Sequence, residues 1–134
     1  MRYVLDASVA VAAAHPSERH HVPARARVVR VLGREDEIVV PALFPVEIAA
    51  ALSRTGSPPE VVDAFVTPLI AAPTRLMTIG PRTARRIQRV ATGLRLRAAD
   101  AAYVYLAMRE AVPLVTSDEE ITGRAASACL VQPP

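Results

Sequence analysis

Apolar residues are grouped along the chain in short runs that predict buried strands. Four runs, at residues 3–5, 38–40, 76–79 and 114–116, have the length and aliphatic composition of such strands. A further short run at 130–131 is a candidate for a last strand. Because longer segments with helical features separate these runs, the pattern predicts an α/β fold with a mostly parallel sheet flanked by helices.

The segments between the runs predict helices, because apolar residues recur with a helical period or because Ala is frequent and breakers are absent. They are residues 7–14, 22–32, 42–54, 60–71, 83–91, 98–110 and 119–126. Pro16 and Gly33 mark the ends of the first two helices, and the turn at 55–59 separates the next two. Pro68 lies inside the helix predicted at 60–71 and is expected to kink or shorten it.

The composition narrows the possible chemistry. The chain has 134 residues, of which 51% are hydrophobic and 22% charged, so one core and one domain spanning residues 1–134 are expected. All 16 basic residues are arginine, which excludes mechanisms that need a lysine as base, Schiff-base former or phosphate clamp. The formal net charge of +3 is compatible with a polyanionic partner but does not by itself indicate one.

The cysteine count and the length of the apolar runs indicate the cellular compartment of the protein. Cys129 is the only cysteine, so a disulfide framework within the chain is impossible, which fits a reducing compartment. Its apolar neighbours predict a small buried residue. No apolar run reaches the roughly 20 residues needed to span a bilayer, and Asp6 interrupts what would otherwise resemble a signal peptide. We therefore expect a cytoplasmic protein that is not in a membrane.

Four carboxylates are candidates for a site, and three of them lie at the ends of predicted elements. Asp6 and Asp118 each follow a predicted strand, and open parallel sheets bind ligands beyond the carboxyl ends of their strands. Asp100 opens the last long helix, where the helix dipole favours negative charge. Glu47 is the only charged residue in the segment 41–51, so we expect it to be partly buried and to need a partner. Each acid alone is a weak indication, but the set in this order predicts one anionic cleft.

Carboxylates gathered in one cleft raise each other's pKa, and a divalent cation removes that repulsion. An all-oxygen donor set suits Mg²⁺ or Mn²⁺. Such ions activate water and stabilise charge that develops on a phosphodiester. The acids therefore predict metal-dependent phosphoryl chemistry. Ser8 and Thr116 lie two residues from Asp6 and Asp118, where they could orient carboxylates or waters around a metal; capping and turn formation explain them equally well.

Four blocks of the sequence resemble the conserved blocks of PIN-domain nucleases. They are Val4-Leu5-Asp6-Ala7-Ser8-Val9, Pro41-Ala42-Leu43-Phe44-Pro45-Val46-Glu47, Leu96-Arg97-Ala98-Ala99-Asp100-Ala101-Ala102-Tyr103 and Leu114-Val115-Thr116-Ser117-Asp118. The resemblance runs from Arg2 to about Ile121, nearly the whole chain. Within the superfamily the chain is most similar to the VapC toxins of bacterial toxin–antitoxin pairs.

The resemblance implies a PIN-like three-layer sandwich with a sheet of about five parallel strands. It implies a Mg²⁺- or Mn²⁺-dependent endoribonuclease, the toxin of a VapBC-like pair. It makes Asp6, Glu47, Asp100 and Asp118 the catalytic and metal-binding acids, with Asp118 the least reliable ligand of the four. It also implies a homodimer and a cognate VapB-like antitoxin as a partner.

RNA binding would have to use arginine, because lysine is absent. Arg95 and Arg97 lie close to Asp100 in sequence and are predicted to contact a phosphate near the metal. A second basic group lies within two helical turns and could form a stripe along one helix. Its members are Arg82, Arg85, Arg86 and Arg89. A solvated surface is the alternative for both groups.

The apolar segments 44–52 and 61–70 are predicted to be neighbouring helices. Packing in the core explains most of their apolar faces. Any surplus apolar surface could bind the antitoxin or a second protomer.

Other interpretations remain open. A phosphatase with Asp6 as nucleophile would resemble the haloacid-dehalogenase-like enzymes, but these need a second acid where Ser8 stands, and a lysine. His15, His20 and His21 suit Zn²⁺ but lie in a polar loop without a third well-spaced ligand set. The remaining alternative is a catalytically inactive PIN-like module that binds protein or RNA, and the presence of all four acids argues against it.

Overall fold

Five parallel strands form the central sheet in the computed structural model, which describes residues 1–71 and 73–134. They are β1 (Arg2–Leu5), β2 (Glu37–Pro41), β3 (Thr74–Met77), β4 (Leu114–Val115) and β5 (Val131–Gln132). Their order in the sheet is β3-β2-β1-β4-β5, so β1 is central. Because the strands are parallel, their carboxyl ends lie at the same edge of the sheet.

Seven helices flank the sheet within the described ranges. They are α1 (Ala7–Ala14), α2 (His21–Leu32), α3 (Phe44–Arg54), α4 (Pro59–Ile70), α5 (Pro81–Leu94), α6 (Ala98–Glu110) and α7 (Glu119–Ala125). Helix α6 packs against β1, β2 and β4 with α5 beside it, while α1 to α4 contact one another. The fold class predicted from the sequence is confirmed. None of these helices is long and apolar enough to cross a membrane.

The most deeply buried elements are those that lead to the predicted acids. Tyr3, Val4 and Leu5 of β1 are fully buried. In α6 every residue from Asp100 to Ala107 is buried, so this part of the helix has no exposed face. Asp6 and Asp100 therefore extend from the two parts of the chain that are held most firmly by core packing.

The structure differs from the sequence prediction most clearly at β3. The strand predicted at 76–79 pairs with β2 through Thr74–Met77 instead. Leu76 is 42% exposed because β3 lies at the edge of the sheet, and Ile79, beyond the end of β3, is 37% exposed. On an edge strand the apolar residues do not mark the paired segment, so hydrophobicity alone misplaces it.

Helix α5 is longer than the segment predicted at 83–91. It begins at Pro81, passes Gly93, and ends where Arg95 adopts a left-handed backbone conformation with φ of 56°. Helix α4 continues through Pro68 to Ile70. The other elements differ from their predicted bounds by one or two residues at most. Cys129 is half-buried and packs against the core.

A buried carboxylate joins β1 to α2. The Arg30 guanidinium donates from Nε to Asp36 Oδ2 (2.8 Å) and from Nη2 to Oδ1 (2.9 Å). The Tyr3 hydroxyl (3.3 Å) and the Met1 amine (3.1 Å) donate to the same carboxylate. The Arg30 hydrogen bonds are the main reason that the pKa of Asp36 lies well below its usual range. Burial, followed by the charge of Asp36, raises the pKa of Tyr3 to about 12.

Candidate active site

Each of the four predicted acids stands at the N-terminal end of a helix. Asp6 follows β1 and is the N-cap residue of α1, and Asp118 follows the neighbouring strand β4 and is the N-cap residue of α7. Glu47 and Asp100 lie in the first turns of α3 and α6. Helix N-termini favour negative charge, which offsets part of the repulsion among four carboxylates.

Asp6 is a buried carboxylate with no cationic partner among the described residues. Asp6 is only 4% exposed to solvent. Oδ2 accepts hydrogen bonds from Ser8 Oγ (2.5 Å) and Thr116 Oγ1 (2.8 Å), and no described group donates to Oδ1. Burial is the main cause that raises the pKa of Asp6; the two hydroxyls lower it, and the charges of Asp100 and Asp118 raise it further. Such a group is stabilised by a proton or by a metal ion.

The two hydroxyls also join the elements on either side of Asp6. Thr116 Oγ1 accepts from the Asp118 backbone N–H (3.0 Å), and Ser8 Oγ accepts from the Ser117 backbone N–H (3.2 Å). The start of α1 is thereby connected to the loop between β4 and α7. These contacts hold Oδ2 of Asp6 in one orientation and leave Oδ1 available.

Arg97 lies between two of the acids. Its Nε donates to Asp100 Oδ2 (2.9 Å) and its Nη2 donates to Asp118 Oδ2 (3.0 Å). The other oxygen of Asp118 caps α7 by accepting from the Glu120 backbone N–H (2.8 Å). Burial is the main cause that raises the pKa of Asp100, and Arg97 opposes that shift. The Arg97 guanidinium therefore contacts one oxygen of each of two acids that the sequence predicts as metal ligands.

Glu47 has a different partner. The Tyr103 hydroxyl donates to Glu47 Oε1 at 2.8 Å. Burial raises the pKa of Glu47, the Tyr103 hydrogen bond lowers it, and the charges of Asp6 and Asp100 raise it. Tyr103 is itself fully buried, and burial together with the Glu47 charge raises its own pKa far above the usual range, so it remains a donor.

Sequence reasoning gave Tyr103 no role of its own. The indication that could have identified it is its spacing of three residues from Asp100 in α6, which puts both side chains on the same face of the helix. Arg97 was predicted to contact RNA, and its contacts with the acids were not foreseen.

The carboxylates are close enough to influence one another but do not form a closed metal cage. In the described part of the chain, no group of three or more His, Cys, Asp and Glu side chains is arranged to hold a metal ion. The donor set nevertheless fits a hard dication, because it is all oxygen and because buried Asp6 lacks a cation. For a metal to bind all the acids, Asp100 and Asp118 would have to exchange contact with Arg97 for contact with the ion.

The three histidines have different neighbours. His15 Nε2 is 3.0 Å from the Thr55 hydroxyl, and His21 Nδ1 is 2.9 Å from the Ala12 carbonyl oxygen. His20 lines a cleft next to the acids. The described structure therefore does not bring these imidazoles into one zinc site.

The predicted basic residues are exposed. Arg95 ends α5, and its carbonyl oxygen accepts a hydrogen bond from Arg124. The group predicted as a stripe lies on α5, and within the described ranges its members form no ion pair. They are Arg82, Arg85, Arg86 and Arg89. Their position makes them accessible to a polyanion.

The fold and the acids define an α/β protein whose candidate site lies beyond the carboxyl ends of a parallel sheet. The sequence model of the PIN domain family matches residues 3–126. The chain therefore belongs to the PIN domain family, a family of nucleases, which supports hydrolysis of nucleic acid. No curated protein sequence matches the chain significantly.

Solved structures share the fold. One is PAE2754 from Pyrobaculum aerophilum, with a TM-score of 0.70 and 21% identity over 98% of this chain and 83% of that one. Another is VapBC2 from Rickettsia felis bound to a DNA fragment from its promoter, with a TM-score of 0.70 and 13% identity over 99% and 98%. A third is FitAB bound to an IR36 DNA fragment, with a TM-score of 0.71 and 17% identity over 100% and 95%.

Proposed function

We propose that this PIN domain is a metal-dependent endoribonuclease, the toxin of a VapBC-like toxin–antitoxin pair. The observation that carries the proposal is the state of Asp6, a buried carboxylate held by two hydroxyls and without a cation, beside three further acids. A phosphatase that forms an aspartyl phosphate is disfavoured because the chain has no lysine. An inactive binding module has no need of four acids whose charges act on one another.

The four acids have distinct tasks in this proposal. A Mg²⁺ or Mn²⁺ ion bound by Asp6, Glu47, Asp100 and Asp118 would activate water and stabilise the charge that develops on a phosphodiester. Asp6 offers Oδ1 while Ser8 and Thr116 hold Oδ2. These two hydroxyls are positioning residues, because they act on the carboxylate and not on the substrate.

Open clefts on both sides of the acids leave room for a nucleic-acid strand as substrate. Two clefts share Ser8 at the candidate site. One extends past Asp118 to Arg19, and the other extends past Glu47 to Arg54. Arg54 could meet a phosphate of a strand lying across the site, whereas Arg19 would first have to leave its ion pair with Glu119 (3.3 Å). Exposed Arg95 and Arg97 remain predicted RNA contacts.

An apolar surface on α3 and α4 supports the proposed partners. The buried faces of these helices meet the core, but Val46 is 61% exposed and Val61 is 53% exposed. Pro45, Val46 and Val62 line a cleft between the helices. We propose that a VapB-like antitoxin and a second protomer cover such surface. The solved VapBC2 and FitAB structures are complexes on the same fold, which supports a partner protein but not a particular docking site.

Cleavage in the presence and absence of metal tests the proposal. With Mn²⁺ or Mg²⁺ the purified protein should cut single-stranded RNA internally. Excess EDTA should stop the reaction, and added Mn²⁺ should restore it, because the acids need a dication to act. The control is DNA of the same sequence, which we expect to remain intact. Cleavage that continues unchanged in EDTA would contradict the proposal, and binding of RNA without any cleavage would favour the inactive module.

Removing the Tyr103 hydroxyl should slow cleavage without unfolding the protein. Tyr103→Phe removes the hydrogen bond that orients Glu47, and loss of such a supporting contact costs about 10- to 100-fold in activity. Because that hydrogen bond lowers the pKa of Glu47, its loss should move the acidic limb of the pH–rate profile to higher pH. Tyr105→Phe is the matched control, since Tyr105 is buried in the same helix. Equal rates and pH profiles for both variants would show that Tyr103 does not position Glu47.

A further inference from the structure

Arg97 connects two acids that come from different parts of the chain. It is the N-cap residue of α6, and its guanidinium contacts Asp100 in the first turn of that helix and Asp118 at the start of α7. Each contact is made to an Oδ2 atom, by Nε in one case and by Nη2 in the other. One cation thus bridges two of the four proposed metal ligands.

The two sides of this bridge differ in burial. The Arg97 side chain is 67% exposed, whereas the side chains of Asp100 and Asp118 are 12% and 26% exposed. The guanidinium also lies at the N-terminus of α6, where the helix dipole disfavours a cation. The two acids are therefore what retains Arg97, and it can return to water at little cost because exposed ion pairs contribute little. Asp100 and Asp118 are less exposed and cannot return to water in this way.

Arg97 also leaves most of the negative charge unpaired. It contacts neither Asp6 nor Glu47, whose described side-chain partners are neutral hydroxyls. A dication among the four acids would offset more of that charge than one guanidinium can. An ion bound to Asp100 Oδ2 would lie beside the guanidinium, and their like charges would repel.

We propose that Arg97 is a built-in, displaceable counter-ion: it bridges Asp100 and Asp118 in the metal-free protein and competes with the divalent cation for Asp100. This inference rests on the proposed function, because it assumes that the acids bind a dication. Arg97 is therefore expected to lower the affinity for the metal and to stabilise the metal-free fold. A residue that merely organised the acids for the metal would instead favour binding.

Mn²⁺ binding separates these possibilities. Titration calorimetry with MnCl₂ should show binding to Arg97→Gln that is roughly two- to fivefold tighter than to the unmodified protein, the range expected when the ion pair that competes for Asp100 is removed. Differential scanning calorimetry should show a lower Tm for metal-free Arg97→Gln. The rise in Tm on adding Mn²⁺ should be larger in this variant than in the unmodified protein.

Arg82→Gln is the matched control, because it removes the same charge far from the acids. Arg82 is exposed at the start of α5, and the next residue, Thr83, shares a cleft with Arg109 and Glu110 at the opposite end of α6 from Asp100. Its Mn²⁺ affinity should match that of the unmodified protein. Arg97→Lys keeps the charge but lacks the fork that reaches both acids, so it should bind Mn²⁺ more tightly than the unmodified protein, by a smaller factor than Arg97→Gln.

The inference would be overturned if Arg97→Gln and Arg97→Lys bind Mn²⁺ no more tightly than Arg82→Gln does. Asp6→Asn distinguishes this failure from failure of the proposed function. If Asp6→Asn binds Mn²⁺ as tightly as the unmodified protein, the metal site itself is wrong. If Asp6→Asn loses binding while the Arg97 variants bind no more tightly, the acids bind metal and only the role of Arg97 is wrong.

Discussion

Replacing Asp6 with Asn is expected to abolish RNA cleavage while making the metal-free protein more resistant to heat. The loss of activity should be about 1,000-fold or more, because the variant lacks the central charged ligand proposed for the dication. The fold should persist, since an amide oxygen can still accept the hydrogen bonds that Ser8 and Thr116 donate. Cleavage of a labelled RNA and a thermal unfolding scan measure the two effects.

The gain in stability has a defined pH dependence. Burial raises the pKa of Asp6 in the folded protein above its value in the unfolded chain, about 3.9. The contribution of this carboxyl to stability is therefore fully present below that unfolded value and is lost as the pH rises through the folded pKa. Asp6→Asn should match the unmodified protein in Tm below about pH 3.9 and exceed it at neutral pH.

Added Mn²⁺ should reverse the order of stability. At a free concentration of 100 times its Kd, a ligand that binds only the folded state stabilises it by about 2.7 kcal/mol. The unmodified protein should gain this stabilisation and Asp6→Asn should not. Asp63→Asn is the control, because Asp63 is exposed on α4 and the substitution changes the same charge. Full cleavage by Asp6→Asn would show that Asp6 is not part of the active site.

Replacing Asp36 with Asn is expected to destabilise the fold by roughly 2 kcal/mol, because a buried charged acceptor of several hydrogen bonds is replaced by a neutral one. Asp36 has a fully buried side chain and accepts from Arg30 and Tyr3 and from the Met1 amine. Urea unfolding should show a lower midpoint with an unchanged slope, as expected for a change in stability alone. Glu35→Gln is the control: Glu35 pairs with the same Arg30 at 3.1 Å but is 59% exposed, so its loss should cost less than about 1 kcal/mol.

The pH dependence of this second effect has the opposite sign to that of Asp6. The pKa of Asp36 is lowered in the folded protein, chiefly by the Arg30 hydrogen bonds. Its contribution is present above the unfolded value of about 3.9 and is lost as the pH falls through the folded pKa. The difference between the unmodified protein and Asp36→Asn should therefore be constant at neutral pH and should shrink in strong acid. Equal destabilisation by the Asp36 and Glu35 variants would contradict the assigned role of the buried pair.

Much of the fold could be predicted from local sequence patterns. Apolar runs and helical periods reflect which face of an element is buried, so they identified α6 with its bounds and the alternation of strands and helices. The edge strand β3 could not be placed in this way, because its register depends on pairing with β2 and its apolar residues are partly exposed. The buried Asp36 was also missed, since its partners Arg30 and Tyr3 become neighbours only after β1 and α2 pack together.

The sequence by itself determined that Asp6, Asp100 and Asp118 would stand where strands end or a helix begins, because these positions follow from local periodicity and capping. Only the tertiary structure decided which group each carboxylate contacts: hydroxyls at Asp6, a tyrosine at Glu47, and one arginine shared by Asp100 and Asp118. Such contacts join residues from separate elements, and they depend on how those elements pack. A local pattern holds no information about that packing.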